Sequence, residues 1–115
     1  MDEYSPEPIR SPLAREDLTQ IEDDVAVRRG NNAAQKVLST ILEKACLHAR
    51  FPGIGRSRDD LSPGLRSFVV LPYVIFFRPV NNTIELVRIL HGRRDVDSII
   101  HETLGKAGNG DAEDD

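Results

Sequence analysis

Apolar residues recur with a helical period in the first half of the chain and with a strand-like one in the second. Ala14, Leu18, Ile21 and Val25 fall at spacings of four, three and four, one stripe on a helix, while Arg15, Glu16, Glu22 and Asp23 lie off it. Ser11-Pro12 is a helix-start signal, because Ser can cap and Pro suits the first helical position, where its missing N–H would be unpaired anyway. Gly30 is the stop, with Arg28-Arg29 at the negative end of the dipole. Asn31-Asn32 can cap a second helix, whose face Ala34, Val37, Leu38, Ile41, Leu42, Ala45 and His48 or Ala49 is wider and so predicted to be buried more deeply. That helix ends near Arg50, since Pro52 disfavours the helical conformation at Phe51. A join of about three residues predicts an antiparallel hairpin.

Residues 52–64, PGIGRSRDDLSPG, are rich in turn formers and read as a surface loop. Three strands are predicted after it: Leu65 to Leu71, Tyr73 to Arg78 with Pro72 as the break, and Thr83 to Leu90 after an Asn81-Asn82 turn. In the last strand Ile84, Leu86, Arg88 and Leu90 alternate with Glu85, Val87 and Ile89, so neither face is cleanly polar and the strand is read as central. Pro8-Ile9-Arg10-Ser11 is a candidate short strand, restricted by Pro8 to an edge or a strand start. Asp95 to Leu104 carries Val96, Ile99, Ile100 and Thr103 at helical spacing. The predicted fold is α+β: an N-terminal strand and a two-helix hairpin packed on a small antiparallel β-sheet, closed by a short C-terminal helix. The folded domain is expected to span 8–104, between a flexible lead-in at 1–7 and a disordered acidic tail at 105–115.

Composition narrows the function. At 115 residues the chain is one domain's worth, and its apolar content of 39% is globular. A single cysteine excludes an intramolecular disulfide and an all-Cys zinc site. Cys46, beside Ala45, is expected in the core. No run approaches the length of a membrane span and no charged-then-apolar leader opens the sequence, so a cytoplasmic protein without membrane partners is expected. The net charge of −4 argues against a nucleic-acid binder until it is divided: residues 1–45 carry −3, 46–94 carry +5 and 95–115 carry −6. Every positive charge in the middle segment is Arg, the side chain best suited to bidentate contact with carboxylate or phosphate.

Five stretches of the chain carry recognisable motifs, in register from Ala14 to Asp95. Ala14-Arg15-Glu16-Asp17-Leu18-Thr19-Gln20-Ile21 is similar to the "A..DL..I" signature of the first helix, and Phe51-Pro52-Gly53-Ile54-Gly55-Arg56 to the "P..GR" loop. Gly64-Leu65-Arg66 resembles "GLR", Pro72-Tyr73-Val74-Ile75-Phe76-Phe77-Arg78 resembles "Y.I.YR", and Arg88-Ile89-Leu90-His91-Gly92-Arg93-Arg94-Asp95 resembles "I.RVLHG.RD". Together they resemble the ParE/RelE toxin superfamily, and its ParE branch most, which implies a bacterial toxin of a type II toxin–antitoxin system, held by a ParD-like ribbon-helix-helix antitoxin and reaching operator DNA only through it. ParE toxins poison DNA gyrase; RelE toxins cut messenger RNA on the ribosome. No cofactor is implied.

The candidate chemistry divides along that line. RNA cleavage needs a base, an acid and cations for the phosphorane, which His91, Arg66, Arg88 and Arg94 would have to supply. Against it, the Tyr and several basic residues that RelE-type nucleases carry near the C-terminus have no match after Asp95, where Lys106 is the one permanent cation, and the acidic end would repel RNA. A binding toxin would use Arg66, Arg78, Arg88, His91, Arg93 and Arg94, with the stripe Leu18, Ile21 and Val25, to meet its target and antitoxin. Each has a plainer reading: a salt bridge from Arg88 to Asp95 or Asp17, a carbonyl hydrogen bond for His91, and Asp95 as the cap of the last helix after Arg93-Arg94. Arg56 and Arg58 balance Asp59 and Asp60 in a solvated turn, and His48 and His101 lack partners for a metal. Inhibition of gyrase by binding is the expectation; the alternative is a ribosome-dependent endoribonuclease.

Overall fold

The computed structural model describes residues 7–112, with side chains through Leu104. The elements are β1 (Ile9–Arg10), α1 (Pro12–Arg29), α2 (Asn31–Arg50), β2 (Arg56–Ser57), β3 (Arg66–Val70), β4 (Tyr73–Val80), β5 (Thr83–His91) and α3 (Val96–Ala112). The strands form one sheet in the order β1-β5-β4-β3-β2, with β1 parallel to β5 and every other neighbouring pair antiparallel.

Ser11 begins α1 as the sequence predicts. Its Oγ accepts from the Ala14 N–H at 3.0 Å and donates to the Val87 carbonyl at 3.1 Å, so the cap also ties the helix to β5. The start of α2 differs from expectation. Gly30 alone joins the helices, with φ +95°, and no side chain caps α2; the Ala34 N–H instead reaches the Gly30 carbonyl at 3.2 Å. A one-residue reversal needs a positive φ, which glycine adopts without a Cβ penalty.

The hairpin covers one face of the sheet. Ala14, Leu18, Ile21 and Val25 of α1 and Ala34, Ile41, Ala45 and Ala49 of α2 pack on Phe68, Ile75, Phe77, Ile84, Leu86 and Ile89. On the other face a smaller core of Leu65, Phe76, Val87 and Leu90 lies under Ile100 of α3. Covered on both sides, β4 and β5 have no polar face. The simple alternation expected in β5 fails at a bulge. Phe76 pairs with Arg88 and Phe77 with Leu86, so Val87 is the extra residue. Leu86 and Ile89 therefore both face the hairpin, while Val87 and Leu90 face α3.

The loop at 52–64 is more ordered than its composition suggests, since β2 pairs there with Ser67 and Arg66. It closes over an aromatic cluster in which His48 stacks on Phe68 at 4.3 Å and meets Phe77 edge-on at 5.3 Å. The His48 Nδ1 lies 2.8 Å from the Lys44 carbonyl, so the ring serves the core as an N–H donor. Gly55 has φ +99°, and a Cβ there would stand 2.9 Å from Phe77 Cζ. Gly55→Ala should therefore cost about 1–3 kcal/mol. Gly53→Ala, whose Cβ meets nothing within 4 Å, should stay within about 0.5 kcal/mol. Urea unfolding of the two variants checks this.

Two further expectations are corrected. Cys46 is exposed rather than in the core, because it sits one position round α2 from the buried Ala45. The last helix does not end at Leu104 but continues to Ala112. Lys106, Ala107 and Ala112 favour that continuation, against a cost of about 1 kcal/mol at each of Gly105, Gly108 and Gly110. The final three residues of the expected tail, and residues 1–6 of the lead-in, lie outside the described residues.

Candidate target-binding surface

Arg88, Arg66 and Arg58 are arginines of the basic segment that the fold commits to itself. Arg88 is joined to Asp17 of α1 by two bonds, Nε to Oδ2 at 2.8 Å and Nη2 to Oδ1 at 2.9 Å, and the same carboxylate accepts the Ile89 N–H at 2.9 Å. The Arg88 pKa is raised by this hydrogen bond, which outweighs the opposing effect of burial. Arg66 donates to three carbonyls of the preceding loop, those of Gly53 at 2.8 Å, Ile54 at 3.2 Å and Gly55 at 3.0 Å.

Arg58 is not in a solvated turn. Its side chain is 13% exposed, pairs with Asp60 at 3.0 Å and Asp97 at 3.2 Å, and lies 5.9 Å from the centre of the Phe76 ring. It pins the loop to the start of α3 and, chiefly by its hydrogen bond, holds the Asp60 carboxyl below the usual carboxylate range.

The stripe Leu18, Ile21 and Val25 is also unavailable to a partner. These residues are buried between α1 and the sheet, so their assignment to a binding surface is corrected to the core. Periodicity identifies the face of a helix that is buried, not what buries it.

Arg66 and His91, two of the four groups RNA cleavage would call on, stand apart. His91 pairs across β4 with Tyr73, which pairs with Val70 at the far end of β3 from Arg66. Four residues of strand alone separate Arg66 from that row by about 13 Å. The His91 Nδ1 accepts the Arg93 N–H at 3.1 Å, which leaves the ring proton on Nε2. The Nδ1 lone pair is thereby engaged with the backbone of its own turn. Of the two remaining groups, Arg88 is occupied by Asp17, and Arg94 is exposed in the turn after β5.

What remains open at this end of the sheet is a surface. Gly92 donates to the Pro72 carbonyl at 2.7 Å, which fastens the turn after β5 to the turn before β4. A Cβ on Gly92 would stand 3.2 Å from that oxygen, so the approach is close. The joined turns present Leu71, 87% exposed, beside the exposed Arg93 and Arg94. Asp95 caps α3, its Oδ1 accepting the Ser98 N–H at 3.3 Å and its Oδ2 the Ser98 hydroxyl at 2.8 Å. The carboxylate is thereby engaged and does not neutralise the neighbouring arginines through a direct ion pair. Leu71 was not among the residues singled out from the sequence; as the end of an apolar run it reads as strand. Arg78, the remaining predicted site residue, lies at the opposite end of β4. Among the described residues no cluster of His, Cys, Asp or Glu could hold a metal, and no helix is long and apolar enough to cross a membrane.

Comparison with known proteins agrees with the motif reading. A family model described as "ParE toxin of type II toxin-antitoxin system, parDE" matches residues 9–96. Toxin ParE3 of Caulobacter vibrioides is 35% identical over 85 residues, spanning 74% of this chain and 85% of that protein. Toxin ParE1 of Mycobacterium tuberculosis is 35% identical over 88 residues, spanning 76% and 90%. Among solved structures, a chain of the chromosomal ParDE toxin–antitoxin system of P. aeruginosa superposes with a TM-score of 0.62 at 26% identity, covering 76% of this chain and 96% of that one.

Proposed function

This chain belongs to the ParE toxin family of type II toxin–antitoxin systems, and we propose that it acts by binding DNA gyrase and is held inactive by a cognate ParD-like antitoxin. The observation that carries the reading is the state of the basic residues. Arg66 and Arg88 hold the fold together, the His91 Nδ1 is engaged by the Arg93 N–H, and the exposed Arg93 and Arg94, which make no ion pair among the described residues, stand beside an exposed leucine. An apolar anchor flanked by exposed arginines is suited to recognising another macromolecule, since Arg and large apolar side chains concentrate binding energy at interfaces. It is not suited to moving protons. The antitoxin half of the reading draws on the family and on the P. aeruginosa neighbour, which comes from a ParDE system. Operator DNA would be reached through the antitoxin. The site of action is the cytoplasm, where gyrase works.

A supercoiling assay with purified chain tests the proposal. Relaxed plasmid should stay relaxed in the presence of gyrase, ATP and the chain, and supercoiling should return when the polypeptide encoded beside its gene is added. Undiminished supercoiling at a large excess of folded chain would overturn it.

A further inference from the structure

The end of the sheet opposite Leu71 holds a cleft that this reading leaves unused. Ile9, Glu85 and Arg78 stand in register across β1, β5 and β4. They lie on the face turned away from the hairpin, because their strand neighbours Leu86 and Phe77 face it. α3 covers the rest of this face through Ile100 but leaves a cleft of about 450 Å³ between its Thr103-Leu104 and the start of α1. Leu13, Val87 and Leu104 wall it with carbon, and Arg78 and Glu85 supply the charge. Leu13 is 40% exposed and Ile9, on the adjoining edge strand, 48%.

Arg78, which lines the cleft, carries a buried polar atom with no partner among the described residues. The Arg78 Nε is buried and has no hydrogen-bond partner among the described residues. Glu85 is its cross-strand neighbour, yet the ion pairs among the described residues are those of Arg58 and Arg88, not of Arg78. A buried donor without an acceptor is costly. An arriving carboxylate would form a charge-assisted bond there, with carbon walls excluding competing water. The exposed leucine and isoleucine call for a large apolar side chain next to that acid. The open row runs out from the cleft onto β1, further than a small acid would reach, which fits an extended polypeptide.

We propose that this cleft receives, from the antitoxin, an acidic residue flanked by a large apolar one, with the acid on Arg78 and the apolar side chain against Leu13. The inference rests on the reading of this chain as an antitoxin-held toxin. Glu85 tunes the site by repelling a second carboxylate.

Calorimetric titration of the full chain with the polypeptide encoded beside its gene tests it. Arg78→Met should weaken binding by about tenfold or more, the effect of losing one hydrogen bond to a charged group. Leu13→Glu, at the rim where folding is not at stake, should weaken it similarly. Glu85→Gln should leave binding unchanged or tighten it a few-fold, because it removes a like charge. Arg29→Met, exposed at the far end of α1, should match wild type. Wild-type affinity in both Arg78→Met and Leu13→Glu would overturn the proposal. So would equal weakening by Glu85→Gln and Arg78→Met, since the two side chains would then serve each other. If wild type itself does not bind the polypeptide, the antitoxin reading fails and this inference with it. If wild type binds and the cleft variants bind equally well, only the inference fails.

Discussion

Replacing Asp17 with Ala should cost the fold about 3–5 kcal/mol, the range for removing one partner of a buried ion pair. The Arg88 and Asp17 side chains are 14% and 12% exposed. Asp17 also accepts the Ile89 N–H, so its loss strands a guanidinium and a backbone donor at the bulged edge of β5 together. Urea unfolding of Asp17→Ala, Arg88→Met and the double variant measures this. The single variants should both lose stability, and the double variant should lose less than their sum, because neither charge is then left unpaired. A loss below about 1 kcal/mol in Asp17→Ala would class the pair with solvent-screened surface bridges and remove the reason for excluding Arg88 from the chemistry.

The largest functional effect should come from the joined turns. Leu71→Glu combined with Arg93→Glu and Arg94→Glu should weaken gyrase inhibition on the order of a hundredfold or more, given that central interface residues commonly carry 2 kcal/mol or more each. All three positions are exposed, so the melting temperature should stay close to that of wild type. Dose–response curves of supercoiling, read beside thermal melts, separate loss of the surface from loss of the fold. Retained potency in the triple variant would move the target contact elsewhere on the molecule.

The legibility of this protein in its sequence follows the range of the interactions involved. The α1 stripe, the Ser11-Pro12 start and the strand meander depend on neighbours a few residues away, and pattern finds them. The Arg88–Asp17 bridge was one of two partners the sequence offered, because an Arg in an apolar strand needs a carboxylate. The Val87 bulge and the Gly30 junction escape periodicity, since one residue of offset changes neither composition nor spacing beforehand. The three loop carbonyls on Arg66 are backbone groups and leave no mark on residue identity. The stripe of Leu18, Ile21 and Val25 was legible as apolar but was assigned to a partner as well as to a helix face; the sheet had already claimed it. The exposed Leu71 was hidden because a turn leucine and a strand leucine look alike until the strand's end is known.

Action by binding rather than by turnover shows itself in stoichiometry. Purified chain is titrated against a fixed amount of gyrase, with His91→Ala run in parallel, and ribosome-bound messenger RNA is assayed in the same preparations. Inhibition should rise with the ratio of chain to gyrase, His91→Ala should lose no more than a few-fold in potency because it removes only the side-chain anchor of the Arg93 N–H, and the RNA should stay intact. Unimpaired gyrase, with messenger cut by a small fraction of an equivalent of chain and spared by His91→Ala, would contradict it.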